Sequence, residues 1–239
     1  MSKSRPKIIA IIPAAGSGLR LGGKTRKQFL PLRGKPVIVH TIQQFESCSD
    51  VDEIDIAVPE SAIVEMESII SRFRLHKVGK VVVGGARRQD SVYNILKTIA
   101  ARDSDILLVH DAVRPFVRPK MISHLVRVCR EHGTAVLAVQ PKDTVRRSVG
   151  GVQFDHTIDR SALWLVQTPQ VFRAKLLIRA HERARKDRFS STDDVALVER
   201  LGIKSRIVEG TYDNIKITTP DDLELGELIL ERWEKASAN

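Results

Sequence analysis

Aromatic side chains are scarce in this chain: Phe, Trp and Tyr make up 5% of its 239 residues. Stacking platforms for a run of nucleobases are correspondingly few. Cysteine is rarer still. Cys48 and Cys129 stand far apart, in no metal or redox spacing, and both are expected to be buried, reduced thiols in predicted helices. No apolar run approaches the length of a membrane span, and the opening MSKSRPKII holds no signal-peptide core. The expectation is a cytoplasmic protein with no membrane partner. The chain also lacks internal repeats, low-complexity tracts and linkers. Its basic residues form no long block.

What is present is an ordinary globular composition with a basic excess. Hydrophobic residues make up 42% and charged residues 28%, and 39 Lys+Arg against 29 Asp+Glu leave a net charge of +10. That balance favours anionic partners, and the scarcity of aromatics favours small phosphorylated molecules over nucleic acid. The length suits one large α/β domain or two small ones.

The stretch from Lys7 to Pro36 organises the rest. Ile8 to Ile12 is long enough for a buried strand and too short for a helix. It runs into Pro13, Ala14, Ala15, Gly16, Ser17 and Gly18, where the lack of bulk lets backbone approach a ligand. Arg20, Lys24, Arg26 and Lys27 follow closely. Free amides beside clustered cations suit a polyphosphate. A solvent-facing basic loop after an edge strand is the plainer alternative.

Strand and helix then alternate through residue 140. Helices are predicted over Lys35–Cys48, Ser61–Phe73, Ser91–Ala101 and Pro119–Glu131, and strands over Glu53–Val58, Lys80–Val83, Ile106–Val109 and Thr134–Val139. Such alternation predicts parallel pairing with right-handed crossovers. Between Pro141 and Val166 the pattern breaks into a hairpin, Thr144–Arg147 and Val152–Phe154 about a Gly150-Gly151 turn. This insertion is too poor in apolar residues to make its own core, so a second subunit is its natural support. Helices near 173–187 and 192–201 follow, the second capped by Ser191 or Thr192. Strands near 204–209 and 215–218 lead to a last helix from Pro220 with Thr219 as cap.

Three readings of the glycine loop compete. A dinucleotide fingerprint fails because Leu21 stands where the third Gly belongs. Gly18-Leu19-Arg20-Leu21-Gly22-Gly23-Lys24-Thr25 matches the P-loop pattern, but that mechanism needs a helix from the Lys-Thr. Only Arg26 to Leu30 precede Pro31, too few to make one. The third reading wraps Ala14–Lys27 around a nucleoside triphosphate, with Arg20 and Lys27 as its cations. Two further loops then fall at strand ends, where open α/β sheets place ligands. They are Gly84-Gly85-Ala86-Arg87-Arg88-Gln89-Asp90-Ser91 and His110-Asp111-Ala112-Val113-Arg114-Pro115. Ser91 suits a base edge or a helix cap. Asp111 suits magnesium, a substrate hydroxyl or a turn. His110 reads as a hydrogen-bonded structural histidine.

Pro13-Ala14-Ala15-Gly16-Ser17-Gly18 with Arg20, Lys27-Gln28-Phe29, Gly84-Gly85 with Arg88 and Asp90-Ser91-Val92, and Val109 to Pro115 form an ordered series. It continues through Asp143-Thr144, Asp159-Arg160 with Leu163-Trp164, Thr168-Pro169-Gln170, Thr192-Asp193 and Asp213 to Thr218. The series covers nearly the full length and resembles the 2-C-methyl-D-erythritol 4-phosphate cytidylyltransferase family of the non-mevalonate isoprenoid pathway. The resemblance implies an α/β, Rossmann-like nucleotidyltransferase fold: a three-layer sandwich with a mostly parallel twisted sheet and a projecting β-arm. It implies a single domain over 1–239 with 141–166 as that arm, and a homodimer joined through it. Some relatives carry a fused cyclodiphosphate synthase domain, and a chain ending at Asn239 is expected to lack one.

The implied reaction transfers CMP from CTP to 2-C-methyl-D-erythritol 4-phosphate, with pyrophosphate released and divalent magnesium (Mg2+) as cofactor. Carried over by the resemblance, Arg20 and Lys27 stabilise charge on the α-phosphorus. Ala14, Ala15, Gly16, Ser17, Gly18, Gly84, Gly85, Arg88, Ser91 and Ala112 form the CTP site. The phosphorylated polyol meets Asp111, Arg114, Thr144, Arg160, Thr168, Thr192 and Lys216. Arg160 reaches into the partner subunit's site and, with Lys216, positions the attacking phosphate. Asp111 is the possible magnesium ligand. Singly, Thr144, Thr168 and Thr192 read as strand, turn and cap residues, and Arg160 and Lys216 as surface cations. Ribitol-5-phosphate cytidylyltransferases share much of the series, with a first loop more often reading Leu-Ala-Gly-Gly. A basic nucleic-acid-binding protein is the more distant alternative.

Overall fold

The computed structural model describes residues 5–16 and 26–238, with side chains to residue 236. In chain order it contains β1 (Ile8–Pro13), the short strands β2 (Pro31–Leu32) and β3 (Lys35–Pro36), α1 (Val37–Glu46), β4 (Glu53–Val58) and α2 (Ile63–Phe73). Next come β5 (Val78–Val83), α3 (Arg88–Leu96), β6 (Ile106–Val109), α4 (Pro119–His132) and β7 (Thr134–Val139). The arm supplies β8 (Val145–Val149) and β9 (Gln153–Ile158). The chain closes with β10 (Leu165–Arg173), α5 (Ala174–Lys186), α6 (Val195–Glu199), β11 (Arg206–Glu209) and α7 (Pro220–Ala238).

The main sheet has the order β11-β7-β10-β6-β1-β4-β5. All neighbours pair parallel except β10, which runs antiparallel between β6 and β7. Alternation along β1 divides the core. Ile8, Ala10 and Ile12 pack with α1, α2 and α4 on one face, while Ile9 and Ile11 pack with α3, α5 and α6 on the other. Helices on both faces of a mostly parallel sheet make the expected three layers. A smaller cluster, Leu32, Val37, Val113, Phe116, Ile217, Ile229 and Leu230, seats α7.

Several boundaries differ from the sequence expectation, each for a local reason. β10 is not anticipated at all, because Pro169 and two glutamines break the apolar alternation that marks a strand. The segment 215–218 is not a strand; the Ile217 N–H donates to the Val113 carbonyl at 2.9 Å and ends there. α3 starts at Arg88 rather than Ser91, behind an extended Arg87. α6 starts at Val195, and neither Ser191 nor Thr192 caps it. Instead the Gln170 carboxamide oxygen accepts from the N–H groups of Asp194 and Val195, and Asp193 accepts from Ala196. Cys48 lies beyond the end of α1, buried and free like Cys129. The expected cap at Thr219 is present: its hydroxyl accepts from the Asp222 N–H at 3.2 Å, and Asp222 accepts back from Thr219.

The β8–β9 hairpin forms a sheet of its own, turned by Gly150 and Gly151 with φ of +69° and +74°. It leaves Val149, Val152 and Phe154 exposed, Val152 by 87%.

Candidate active site

The C-terminal ends of β1, β5 and β6 open onto one cleft. One wall is the turn out of β1, where the Ala14 N–H donates to the Ala57 carbonyl at 2.7 Å. The buried Gln28 carboxamide donates to the Ala14 carbonyl at 2.6 Å and holds this turn from below. Lys27, one residue earlier, lines the cleft. The opposite wall is Gly84 to Ser91. A Cβ on Gly84 would lie 2.2 Å from the Cβ of Ala15, and one on Gly85 2.3 Å from that of Asp90. The missing side chain at Gly84 lets the two walls meet at Ala15, and the one at Gly85 lets its own turn close on Asp90. Ser91 is buried, and its hydroxyl accepts from the Gly85 N–H at 3.0 Å, so it shapes the glycine turn.

Asp111 sits at the cleft floor, just past β6. Its Oδ1 accepts from Arg88 Nε at 2.9 Å, its Oδ2 lies 2.9 Å from Lys216 Nζ, and Arg114 Nε stands 3.6 Å away. Burial pushes this carboxyl up, but the charges of Arg88, Lys216 and Arg114 more than reverse that and hold it well below the usual carboxylate range. It is an anion throughout the physiological range. Backbone contacts fix its position. The Asp111 N–H donates to Thr168 Oγ1 at 3.1 Å, and Thr168 Oγ1 lies 3.0 Å from His110 Nδ1. His110 Nε2 is 2.9 Å from the Arg114 carbonyl, which can only accept, so the ring proton is on Nε2 and Nδ1 accepts from Thr168. Burial pushes the His110 pKa down to about 4. It is a neutral strut, as the sequence reading has it.

A second cleft adjoins the first. Arg114, Thr168 and Thr192 line it, and Asp111, Arg88 and Lys216 line both clefts. Arg114 reaches the Asn214 carbonyl through Nη1 at 2.8 Å, and the buried Asn214 carboxamide donates to the Thr168 carbonyl at 2.9 Å. The arrangement can hold an anionic group on each side of one carboxylate ringed by cations.

The family model for 2-C-methyl-D-erythritol 4-phosphate cytidylyltransferase matches residues 8–232. The chain belongs to that family. It is similar to the 2-C-methyl-D-erythritol 4-phosphate cytidylyltransferase of Syntrophus aciditrophicus (42% identical, covering 96% of this chain and 98% of that one). It is also similar to the one from Bacillus velezensis (46% identical, covering 93% and 95%). Its structure superposes on the crystal structure of 4-diphosphocytidyl-2C-methyl-D-erythritol synthase from Anaerococcus prevotii with a TM-score of 0.82, at 29% identity, covering 95% and 96% of the two chains. As a member of the cytidylyltransferase family the chain is a nucleotidyltransferase, and its reaction is CTP-dependent cytidylyl transfer to 2-C-methyl-D-erythritol 4-phosphate in the isoprenoid pathway.

Of the cytidylyltransferase residues expected from the sequence, the fold brings Ala14, Ala15, Gly16, Lys27, Gly85, Arg88, Ser91, Asp111, Ala112 and Lys216 to the first cleft. Arg114, Thr168 and Thr192 join Asp111 at the second. Gly84, at the start of the opposite wall, packs against Ala15 and Ser91. Ser17, Gly18 and Arg20 lie outside the described residues. Thr144 and Arg160 line neither cleft. Thr144 is exposed, and Arg160 donates through Nη1 to the Lys142 carbonyl beside a separate groove with Tyr212.

Two expectations change with the geometry. Arg88 is spent on carboxylates, through Nε on Asp111 and through Nη1 on Asp194 at 2.6 Å, so it organises the wall more than it offers free charge. Asp111 has both oxygens held by cations, which leaves it unsuited to act as a resident magnesium ligand. Among the described residues there is no cluster of three or more His, Cys, Asp or Glu arranged to hold a metal. Gln28, Gln170 and Asn214 fall inside the quoted motifs, and Asp194 directly follows one, but nothing local assigns any of them a role: each is a buried side chain whose partner is distant in sequence.

Proposed function

We propose that the two adjoining clefts divide the reaction, with CTP between the β1 turn and the Gly84–Ser91 turn, and methylerythritol phosphate on the Asp111, Arg114, Thr168 and Thr192 side. The observation that carries this reading is the shared floor: Asp111, Arg88 and Lys216 line both clefts. Asp111 accepts from the polyol hydroxyls. Lys216 lies where the two substrates meet and guides the acceptor phosphate to the α-phosphorus. Lys27, with Arg20, neutralises charge there as the new P–O bond forms and the bond to the bridging oxygen breaks, releasing pyrophosphate.

The nucleophile is already an anionic phosphate, so the step needs no general base. Catalysis reduces to bringing two anions together and offsetting the new charge at phosphorus. Each cation contributes about 2–4 kcal/mol in the transition state, by analogy with losses of single donors at other sites. Magnesium enters as part of the substrate, on the triphosphate, as befits an ion that binds phosphates with one or two carboxylates at most.

The functional unit in this reading is a homodimer joined by the arms. A lone two-stranded hairpin is marginal in water, and this one presents Val149, Val152 and Phe154 to solvent. Arg160 and Thr144, at the arm's base, line neither cleft of their own chain, and in this reading Arg160 reaches into the partner subunit's site. The basic excess serves small anions rather than nucleic acid. Two unpaired thiols suit a reducing, cytoplasmic setting.

Subunit mixing tests the shared site. Arg160→Ala and Lys216→Ala are each expected to be nearly inactive, and mixed dimers of the two to regain activity through one intact site. No recovery in dimers demonstrated to be mixed contradicts the reading.

A further inference from the structure

We propose that Asp194 and His181 are positioning residues for the acceptor side of the reaction: they hold the Arg88 guanidinium that in turn holds Asp111. The inference rests on the reading of Asp111 as the polyol's contact.

The chain of contacts is continuous and buried. His181 on α5 donates through Nε2 to Asp194 Oδ1 at 2.8 Å, and Asp194 Oδ2 accepts from Arg88 Nη1 at 2.6 Å. Arg88 Nε then donates to Asp111 Oδ1 at 2.9 Å. The side chains of His181 and Asp194 are 0% and 1% exposed, so neither meets a substrate, and neither lines a cleft. The carboxylate is ionised, so the proton between them belongs to the imidazole. The other ring nitrogen, Nδ1, is buried with no partner. The ring's setting therefore comes from Asp194 and from Tyr93, on which it stacks at an interplanar angle of 18°. Tyr93 lies on α3, the helix that also carries Arg88. Gln170 of β10 fixes the other end by accepting from the Asp194 N–H at 3.0 Å.

Stability alone does not call for this arrangement, since a buried ion pair is often no better than apolar residues of similar volume. What it supplies is direction. A guanidinium held by two carboxylates through different nitrogens cannot rotate, because its fork is rigid. With Asp194 absent, Arg88 is free to swing. Asp111 is then drawn toward Lys216 and Arg114 and away from the polyol.

The test measures KM for methylerythritol phosphate and for CTP separately in Asp194→Asn, together with the melting temperature. The expected result is a rise of about tenfold in the polyol KM, the scale of one charge-assisted hydrogen bond, with the CTP KM within about twofold. Equal changes in both constants, or none, overturn the proposal. Asp111→Asn is run alongside. If it leaves the polyol KM unchanged, the reading of Asp111 falls and this inference with it. If it raises that KM while Asp194→Asn does not, the positioning role alone falls. The double variant is expected to lose less than the product of the single losses, and a full product contradicts action through a common contact. Should Asp194→Asn fail to fold, His181→Phe keeps the stack on Tyr93 and removes the donor. It must raise the polyol KM selectively, or the proposal fails.

Discussion

Lys216 Nζ lies 2.9 Å from Asp111 Oδ2, at the seam between the two clefts. The lysine is still 40% exposed and the aspartate almost wholly enclosed. In the proposed reading this exposed ammonium on a buried anion is a cation held ready where the two phosphorylated substrates meet. Lys216→Gln keeps length and hydrogen bonding and removes the charge. It is expected to lower kcat by the equivalent of about 2–4 kcal/mol while the CTP dissociation constant changes little. Steady-state kinetics beside calorimetric titration of CTP checks this.

Lys27 is expected to behave differently from the residues that shape the nucleotide wall. Lys27→Ala lowers turnover far more than it weakens CTP binding, and Arg20→Ala does the same. Gly84→Ala puts a methyl 2.2 Å from Ala15. It must push the two walls apart, so its main effect is expected on the KM for CTP. The two kinds of variant thus separate on a plot of kcat against KM.

The arm gives a third expectation. Phe154 is 69% exposed on the isolated hairpin. Phe154→Glu is expected to shift sedimentation toward monomer and to abolish turnover, with CTP binding retained because both walls of the nucleotide cleft lie within one chain. Unchanged sedimentation contradicts the arm's assignment.

Two buried groups oppose each other as pH falls. Burial pushes His110 down to about 4, and burial with the charge of Glu53 pushes Asp55 up to about 6. Between about pH 6.5 and 4 the unfolded chain protonates its histidine while the folded chain does not, so stability falls with pH, by on the order of 3 kcal/mol in total. Asp55 has the opposite sign. The folded chain takes its proton near 6 and the unfolded chain only near 3.8, so stability rises as pH falls through the same window. Asp55→Asn removes that offset. Its melting temperature is expected to drop more steeply on acidification than that of the parent, and parallel curves contradict the assignment.

Much of this was legible in the sequence for plain reasons. Ile8 to Ile12, Ile106 to Val109 and Thr134 to Val139 are short apolar runs bounded by breakers, and each is a strand in place. Gly150-Gly151 announced the hairpin. β10 was hidden because Pro169 interrupts it and the polar Gln167 and Gln170 carry tertiary bonds instead of alternation. The site was legible where chemistry and sequence are contiguous, as in Gly84 to Ser91 and His110 to Arg114. It was not legible where a buried residue acts across the fold: nothing local links His181 to Asp194, or Asp194 to Arg88.

The most direct test of the central claim is pyrophosphate release from CTP and magnesium, with methylerythritol 4-phosphate and ribitol 5-phosphate run side by side. The account predicts release with methylerythritol phosphate alone. Release with ribitol phosphate alone would keep the clefts and the work of Lys27 and overturn the acceptor. Release with neither would contradict cytidylyl transfer itself.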